Sequence, residues 1–240
     1  ASADPNRLYV FGISEGGYGS QRLASFYADY WAAAGPMAGG EPLKNAPIEN
    51  LRNTPFSLLT GALDEGFYRN KLTAYTKAAL EQTKFVYRVE LLPGYGHHID
   101  YSLTTPWLAQ YKRNPTPLHV SWEDFEMDGR YRRGFSNLVV LERPDTQGRT
   151  YYDEVISNNT INLSVHNVTY TTIEKDTIWG IALKFQKHFT PATSGKIRIY
   201  LSENQIDLKR PVRILVNGQE KFNGRLRPSL KAMAESLFVF

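Results

Sequence analysis

Apolar positions follow two different rhythms along this chain. Up to about Asn114, continuous apolar runs alternate with stretches where apolar residues recur at helical spacing, the signature of strand–helix units and a parallel sheet. The runs "RLYVFGI" (7–13), "TPFSLLTG" (54–61) and "KFVYRVELLP" (84–93) predict buried strands. One helix is predicted over 21–33, leading into the small-residue run "AAAGPMAGG". A second is predicted over 68–82, where Leu72, Tyr75, Ala79 and Leu80 share a face. The stretch "TTPWLAQYKR" predicts a last helix, with Pro106 near its first turn, where a missing N–H costs nothing.

After "RNPTPLH" the rhythm changes to period two. Pro115 and Pro117 mark a stiff linker, because each disfavours helix in the residue before it. Beyond it, "LHVSWED", "SNLVVLER", "TINLSVHNVTYTTI", "TIWGIALKFQK", "KIRIYLS" and "VRILVNGQEKFNG" read as strands rich in β-branched and aromatic residues. Asn217-Gly218 is a two-residue hairpin signal, since both turn positions need positive φ. The expected organisation is an α/β domain over 1–114, with three to four parallel strands, and an all-β, sandwich-like antiparallel domain over 115–240.

Composition narrows the classes. With 240 residues and 42% hydrophobic content the chain can bury one large core or two modest ones. No window approaches the eighteen or so apolar residues of a membrane helix, so no membrane partner is expected. The net charge of +4 is spread among acids instead of gathered in a block, which argues against a nucleic-acid partner. The short cluster Arg130-Tyr131-Arg132-Arg133 either touches an anion or forms a solvated turn. There is no cysteine, so disulfides, thiolate metal sites and a cysteine nucleophile are excluded, and any chemistry comes from oxygen and imidazole.

One stretch concentrates that chemistry. In "LYVFGISEGGYGSQRLASFY" an apolar run ends in Gly-Ile-Ser-Glu-Gly-Gly and turns at once into a helical pattern. A serine that attacks a carbonyl must protrude from a rigid scaffold, meet a base and sit beside N–H groups that hold the developing oxyanion. A sharp strand-to-helix turn provides the first and last of these, but it strains the serine backbone and demands small neighbours two positions away. Ser14 is therefore the candidate nucleophile, Gly12 and Gly16 the small neighbours, and Gly17 the residue that lets the helix close on the sheet. The backbone N–H of Glu15, at the helix start, is a candidate oxyanion donor. By itself Gly-x-Ser-x-Gly is a weak pattern, since chance produces it in roughly one chain in ten of this length.

A base and an orienting acid must come later, each just past a strand's C-terminal end. Asp64 follows "SLLTGAL" and His97 follows "VELLPGYG" in that position, at the rim where parallel sheets bind ligands. Glu65 and Glu41 rival Asp64 for the acid, and His98 rivals His97 for the base. His119, His166 and His188 lie in β segments as structural or surface residues, and no spacing suggests a metal site; no cofactor is expected. Trp122, Tyr131, Tyr151, Tyr152 and Trp179 are either core residues or platforms that stack on sugar rings.

The stretches "DPNRLYVFGISEGGYGS", "LLTGALDEGF" and "LLPGYGHHIDY" resemble the C-terminal half of an α/β-hydrolase of the esterase and prolyl-oligopeptidase group, over about Asp4 to Asn114. The β domain is similar, more vaguely, to accessory domains of secreted bacterial hydrolases. The resemblance implies a Ser14–His97–Asp64 triad, an acyl-enzyme, and a small-molecule or polysaccharide-linked ester as substrate, with peptide cleavage or a carbohydrate-binding or scaffold module as alternatives. It also implies a secreted or periplasmic location. In that family several strands precede the nucleophile strand, and a loop among them donates a second oxyanion N–H. The chain is therefore expected to need the N-terminal half of its own catalytic domain as a partner, and as this fragment to be weakly active or inactive. The apolar finish "SLFVF" further predicts that the chain continues past Phe240.

Overall fold

The computed structural model describes residues 3–236, so most of the "SLFVF" finish lies outside the described residues. The chain divides into two units. The first comprises the residues through Asn114 together with Tyr170–Gln186, and the second comprises Pro115–Thr169 and the residues from Lys187 onward.

In the first unit, β1 (Tyr9–Ile13), β2 (Ala33–Met37), β3 (Phe56–Gly61) and β4 (Tyr87–Leu92) form a sheet in that order, every neighbouring pair parallel. The helix α1 (Glu15–Phe26) connects β1 to β2, α2 (Arg69–Glu81) connects β3 to β4, and the short α3 (Thr104–Leu108) follows β4. The central strands β2 and β3 are buried along their whole length, as strands covered on both faces must be. β1 is an edge strand, and its Phe11 and Ile13 remain about half exposed.

The helix expected over 21–33 is displaced. It begins at once after Ser14 and stops at Phe26, and most of the small-residue run is strand β2. The cause is lateral crowding. A Cβ at Gly17 of α1 would overlap the Met37 carbonyl oxygen, and a Cβ at Gly35 would meet Thr104 and Leu108 of α3. A strand pressed this closely can carry only small side chains, so it lacks the bulky β-branched residues by which buried strands are recognised.

The second unit holds most of β5 to β13. Its elements are β5 (His119–Asp124), β6 (Gly134–Phe135), β7 (Leu138–Glu142), β8 (Arg149–Ser157), β9 (Thr160–Lys175), β10 (Ala182–Pro191), β11 (Lys196–Ile199), β12 (Val212–Val216), β13 (Gln219–Gly224) and the helix α4 (Leu230–Ser236). Six strands form one sheet in the order β13-β12-β9-β8-β5, with β10 on β9, and β11-β7-β6 form another. The Asn217-Gly218 turn has positive φ at both residues, 47° and 77°, as expected. β8 escaped the sequence reading although it alternates buried and exposed positions along its length. Its turn into β9, Asn158-Asn159, uses two further positive-φ residues.

Three expectations about this half are corrected. The domain is not wholly antiparallel, because β12 runs parallel to β9. The Asn159 side chain explains this: its Oδ1 accepts from the Asp207 N–H at 2.8 Å and its Nδ2 donates to the Asp207 carbonyl at 2.8 Å and the Pro211 carbonyl at 3.3 Å. One amide thereby ties the residue before β12 to the residue before β9, and two strands leaving one point side by side are parallel. The stretch "TIWGI" is a loop, not strand, because the Asp176 carboxylate gathers the N–H groups of Ile178, Trp179 and Ile181. The domain boundary also differs: the distal parts of β9 and β10, Tyr170–Gln186, belong with the first unit.

The aromatic residues offered for sugar stacking divide sharply. Trp122 is 1% exposed and stacks on Phe135 and Tyr152 at 5.5 and 5.0 Å, so Trp122 and Tyr152 are core. Tyr151 packs against Phe189, and the Tyr131 ring is covered by the Arg143 guanidinium at 3.8 Å. The basic cluster is partly consumed by the fold, with Arg132 buried over Phe135.

Among the described residues of this unit three acids are buried. Glu123 pairs with Arg149 at 2.7 Å and Lys187 at 2.8 Å, and Asp124 pairs with Arg143. Among the described residues Glu154 has only the Asn137 amide, at 3.2 Å. Burial pushes the Glu154 carboxyl up to about 7, with the Asn137 hydrogen bond offsetting only part of the shift. The folded state therefore holds a proton that the unfolded chain releases near the ordinary value of 4.5. Stability from this group is full below that value and is lost as pH rises towards 7. Glu154→Gln, which mimics the protonated form, is expected to flatten that decline and to be more stable than the parent at pH 8 by up to about 3 kcal/mol. Urea unfolding of both proteins at pH 5 and pH 8 checks this; equal stability at both pH values would show that Glu154 ionises freely.

Candidate active site

Ser14 lies between the end of β1 and the start of α1, with φ 57° and ψ −116°, a conformation that L-residues hold only when their surroundings impose it. The imposition is visible in the backbone. The Ser14 N–H donates to the Met37 carbonyl at the end of β2 at 3.0 Å. A Cβ at Gly12 would overlap the Gly16 carbonyl oxygen, so the turn tolerates nothing larger than glycine there. Gly16 is different, since a Cβ at that position meets no described atom within 4 Å. The small neighbour demanded by the turn is thus Gly12. Gly17 has the expected role, its Cα face set against Met37 and Gly39.

Asp64 sits in the loop after β3 and is 3% exposed. His97 sits in the loop after β4. These loops are joined by their backbones: Ala62 N–H donates to the Leu92 carbonyl and Leu63 N–H to the Tyr95 carbonyl, both at 2.9 Å. A Cβ at Gly61 would overlap the Gly96 carbonyl oxygen, so β3 must end in glycine for the loops to close. Beneath them, Met37, Leu59 and Ile99 form a small apolar cluster joined by Leu92 and Tyr101. The Tyr101 hydroxyl donates to the His97 carbonyl at 3.3 Å.

The result is a continuous relay. His97 Nε2 is 2.9 Å from Ser14 Oγ, and His97 Nδ1 is 2.8 Å from Asp64 Oδ2. The carboxylate decides the tautomer: Nδ1 carries the hydrogen that Asp64 accepts, which leaves the Nε2 lone pair facing the serine hydroxyl. All three residues singled out in the sequence are brought together. Of the rivals, Glu65 and His98 are exposed, and the His98 ring centroid stands 6.0 Å from that of His97. Glu41 is buried elsewhere, accepting from Asn45 Nδ2 at 2.9 Å, with burial raising its carboxyl above the ordinary value. The Glu15 N–H opens α1, where no intrahelical acceptor exists for it. Among the described residues no group of three His, Asp or Glu side chains could hold a metal ion.

One participant escaped the sequence reading. Arg69 Nη1 donates to Asp64 Oδ1 at 3.0 Å, so Asp64 is held by a cation on one oxygen and by His97 on the other. The guanidinium also lies over the rings of Tyr18 and Phe67, at 5.7 and 5.4 Å from their centroids. A signal existed: an arginine at the first position of a helix opposes the macrodipole and so calls for a carboxylate partner, and Asp64 lies five residues before it.

No protein-family model matches this chain, and no curated protein matches it in sequence.

The relay geometry has a spectroscopic consequence independent of any substrate. The Nδ1 proton between His97 and Asp64 is expected to resonate far downfield in a one-dimensional proton spectrum. The signal should vanish in His97→Gln and Asp64→Ala, persist in Ser14→Ala and His98→Gln, and shift in Arg69→Met, where Asp64 loses its second anchor. A signal lost in His98→Gln but kept in His97→Gln would overturn the assignment.

Proposed function

We propose that this chain is a serine hydrolase that cleaves a carboxylic ester through an acyl-enzyme. The observation that carries the reading is the convergence of Ser14, His97 and Asp64, remote in sequence, into one relay at 2.9 and 2.8 Å. The parallel sheet, with serine at the turn from β1 into α1 and the acid and base at later strand ends, supports placing the first unit in the α/β-hydrolase fold.

Each step follows from a named atom. His97 Nε2 removes the Ser14 Oγ proton as Oγ attacks the substrate carbonyl carbon. Asp64 stabilises the imidazolium formed at that moment and keeps the ring in place, while Arg69 keeps the carboxylate in place. The negative charge on the former carbonyl oxygen is met by the Glu15 N–H. Collapse of the tetrahedral intermediate breaks the carbon–oxygen bond, and His97 returns its proton to the departing alcohol. A water then attacks the acyl-enzyme by the same route and releases the acid and free Ser14.

The same residues serve peptide cleavage. One oxyanion donor, the Glu15 N–H, is identified among the described residues, and each such donor is worth roughly 3 kcal/mol of transition-state stabilisation. The expected substrate is a small-molecule or polysaccharide-linked ester.

A fluorophosphonate, which reacts with activated serines, is expected to label the protein and to lose all labelling in Ser14→Ala. With p-nitrophenyl acetate, His97→Gln and Asp64→Asn should each lower kcat by at least about a thousandfold. Labelling that survives in Ser14→Ala would place the reactive hydroxyl elsewhere.

A further inference from the structure

The loop that follows Asp64 is held in an unfavourable conformation. Phe67 and Tyr68, consecutive and neither of them glycine, have φ of 49° and 61°, at a cost on the order of 1–3 kcal/mol each. Tyr68 is held there by its hydroxyl, which donates to Asp176 Oδ1 at 2.9 Å. The same carboxylate accepts the N–H groups of Ile178, Trp179 and Ile181 at 2.7 to 3.1 Å. Asp176 is thus one anchor for two loops, and what they present together is apolar. Phe67, Ile178 and Trp179 are 53%, 76% and 65% exposed, and the Phe67 and Trp179 rings stand 5.9 Å apart at 46°. They line a cleft of about 600 Å³.

From these contacts we infer that the Phe67–Trp179 ledge is a substrate subsite for an uncharged aryl or bulky apolar group remote from the scissile bond. The inference rests on the hydrolase reading and adds a substrate class to it. Position is the first argument: the Phe67 ring stacks on the Arg69 guanidinium, which holds Asp64, so the ledge adjoins the acid of the relay. Chemistry is the second. The polar side chains of the cleft are engaged within the fold, Tyr68 with Asp176, Lys71 with Glu174, and Asn70 with the Ala62 carbonyl at 3.0 Å. They leave little for a sugar's hydroxyls to bond, whereas Phe67 and Trp179 stay more than half exposed. The Glu65 carboxylate on the same cleft repels anionic groups. A ledge beside the acid suits a substrate that extends several bonds from its carbonyl, and binding energy gained there can be used at the reacting carbon.

The test compares p-nitrophenyl 5-phenylvalerate with p-nitrophenyl acetate. In Trp179→Ala and in Phe67→Ala the ratio of their kcat/KM values is expected to fall at least tenfold, and Trp179→Phe should retain most of it. In parallel, 5-phenylvaleramide is titrated into Ser14→Ala with and without Trp179→Ala, following tryptophan fluorescence and amide chemical shifts. Saturable binding that weakens at least tenfold without the Trp179 indole is expected. Acetate turnover with an unchanged ratio overturns the subsite and leaves the hydrolase reading intact. Trp179-dependent binding without turnover or labelling keeps the ledge as a binding site and removes the hydrolase. Absence of any Trp179-dependent binding overturns the inference.

Discussion

The close approach of Gly61 to the carbonyls of Tyr95 and Gly96 is the constraint on which the site depends. Two loops that leave adjacent parallel strands diverge unless something ties them, and here the tie is backbone on backbone with no room for a Cβ. Asp64 and His97 ride on those loops, so a hydrogen bond at 2.8 Å between their side chains is set by main-chain packing more than by the side chains. The third member is fixed in the same way. Ser14 is held by its N–H on the Met37 carbonyl, and the helix that follows is drawn in by Gly17. Both glycine contacts replace side-chain volume with backbone proximity, and Gly17 sets the helix against Met37, a member of the cluster with Leu59 and Ile99.

Upon that rigid frame the electrostatics are arranged as a chain. Arg69 holds Asp64, Asp64 orients His97, and His97 faces the Ser14 hydroxyl. A buried carboxylate facing a neutral imidazole is costly in isolation, because its charge is removed from water. The guanidinium offsets that cost, and Phe67 and Tyr18 flank it with aromatic faces. The loop between Asp64 and Arg69 carries local strain at Phe67 and Tyr68, and the distal hairpin holds Tyr68 in that conformation through Asp176. The hairpin is thus part of the support for the site's acid, although its sequence neighbours lie in the second unit.

The second unit handles its buried charge by different means. Glu123 and Asp124 end a strand buried on both faces and are neutralised by Arg149, Lys187 and Arg143, whereas Glu154 sits mid-sheet between Val120 and Leu163 with an amide alone. Burial pushes both Asp124, despite Arg143, and Glu154 up to about 7, so this unit's stability responds to pH through both acids.

The sequence by itself determined the elements whose signals are local. Alternation and apolar runs marked β1, β3, β4 and most later strands, turn chemistry marked Asn217-Gly218, and the glycine spacing round Ser14, with the strand-end positions of Asp64 and His97, named the candidate relay. Where crowding or partnership at long range was decisive, local signals failed. β2 was read only as a small-residue run after a helix because neighbours forbid it bulk, and β12 was read as antiparallel because the tie through Asn159 spans about fifty residues of chain. Arg69, and the membership of Tyr170–Gln186 in the first unit, were equally hidden. Only the tertiary structure decided these, because propensity and periodicity report what a residue prefers along its own chain, whereas close backbone approach and the pairing of buried charge depend on what arrives beside it.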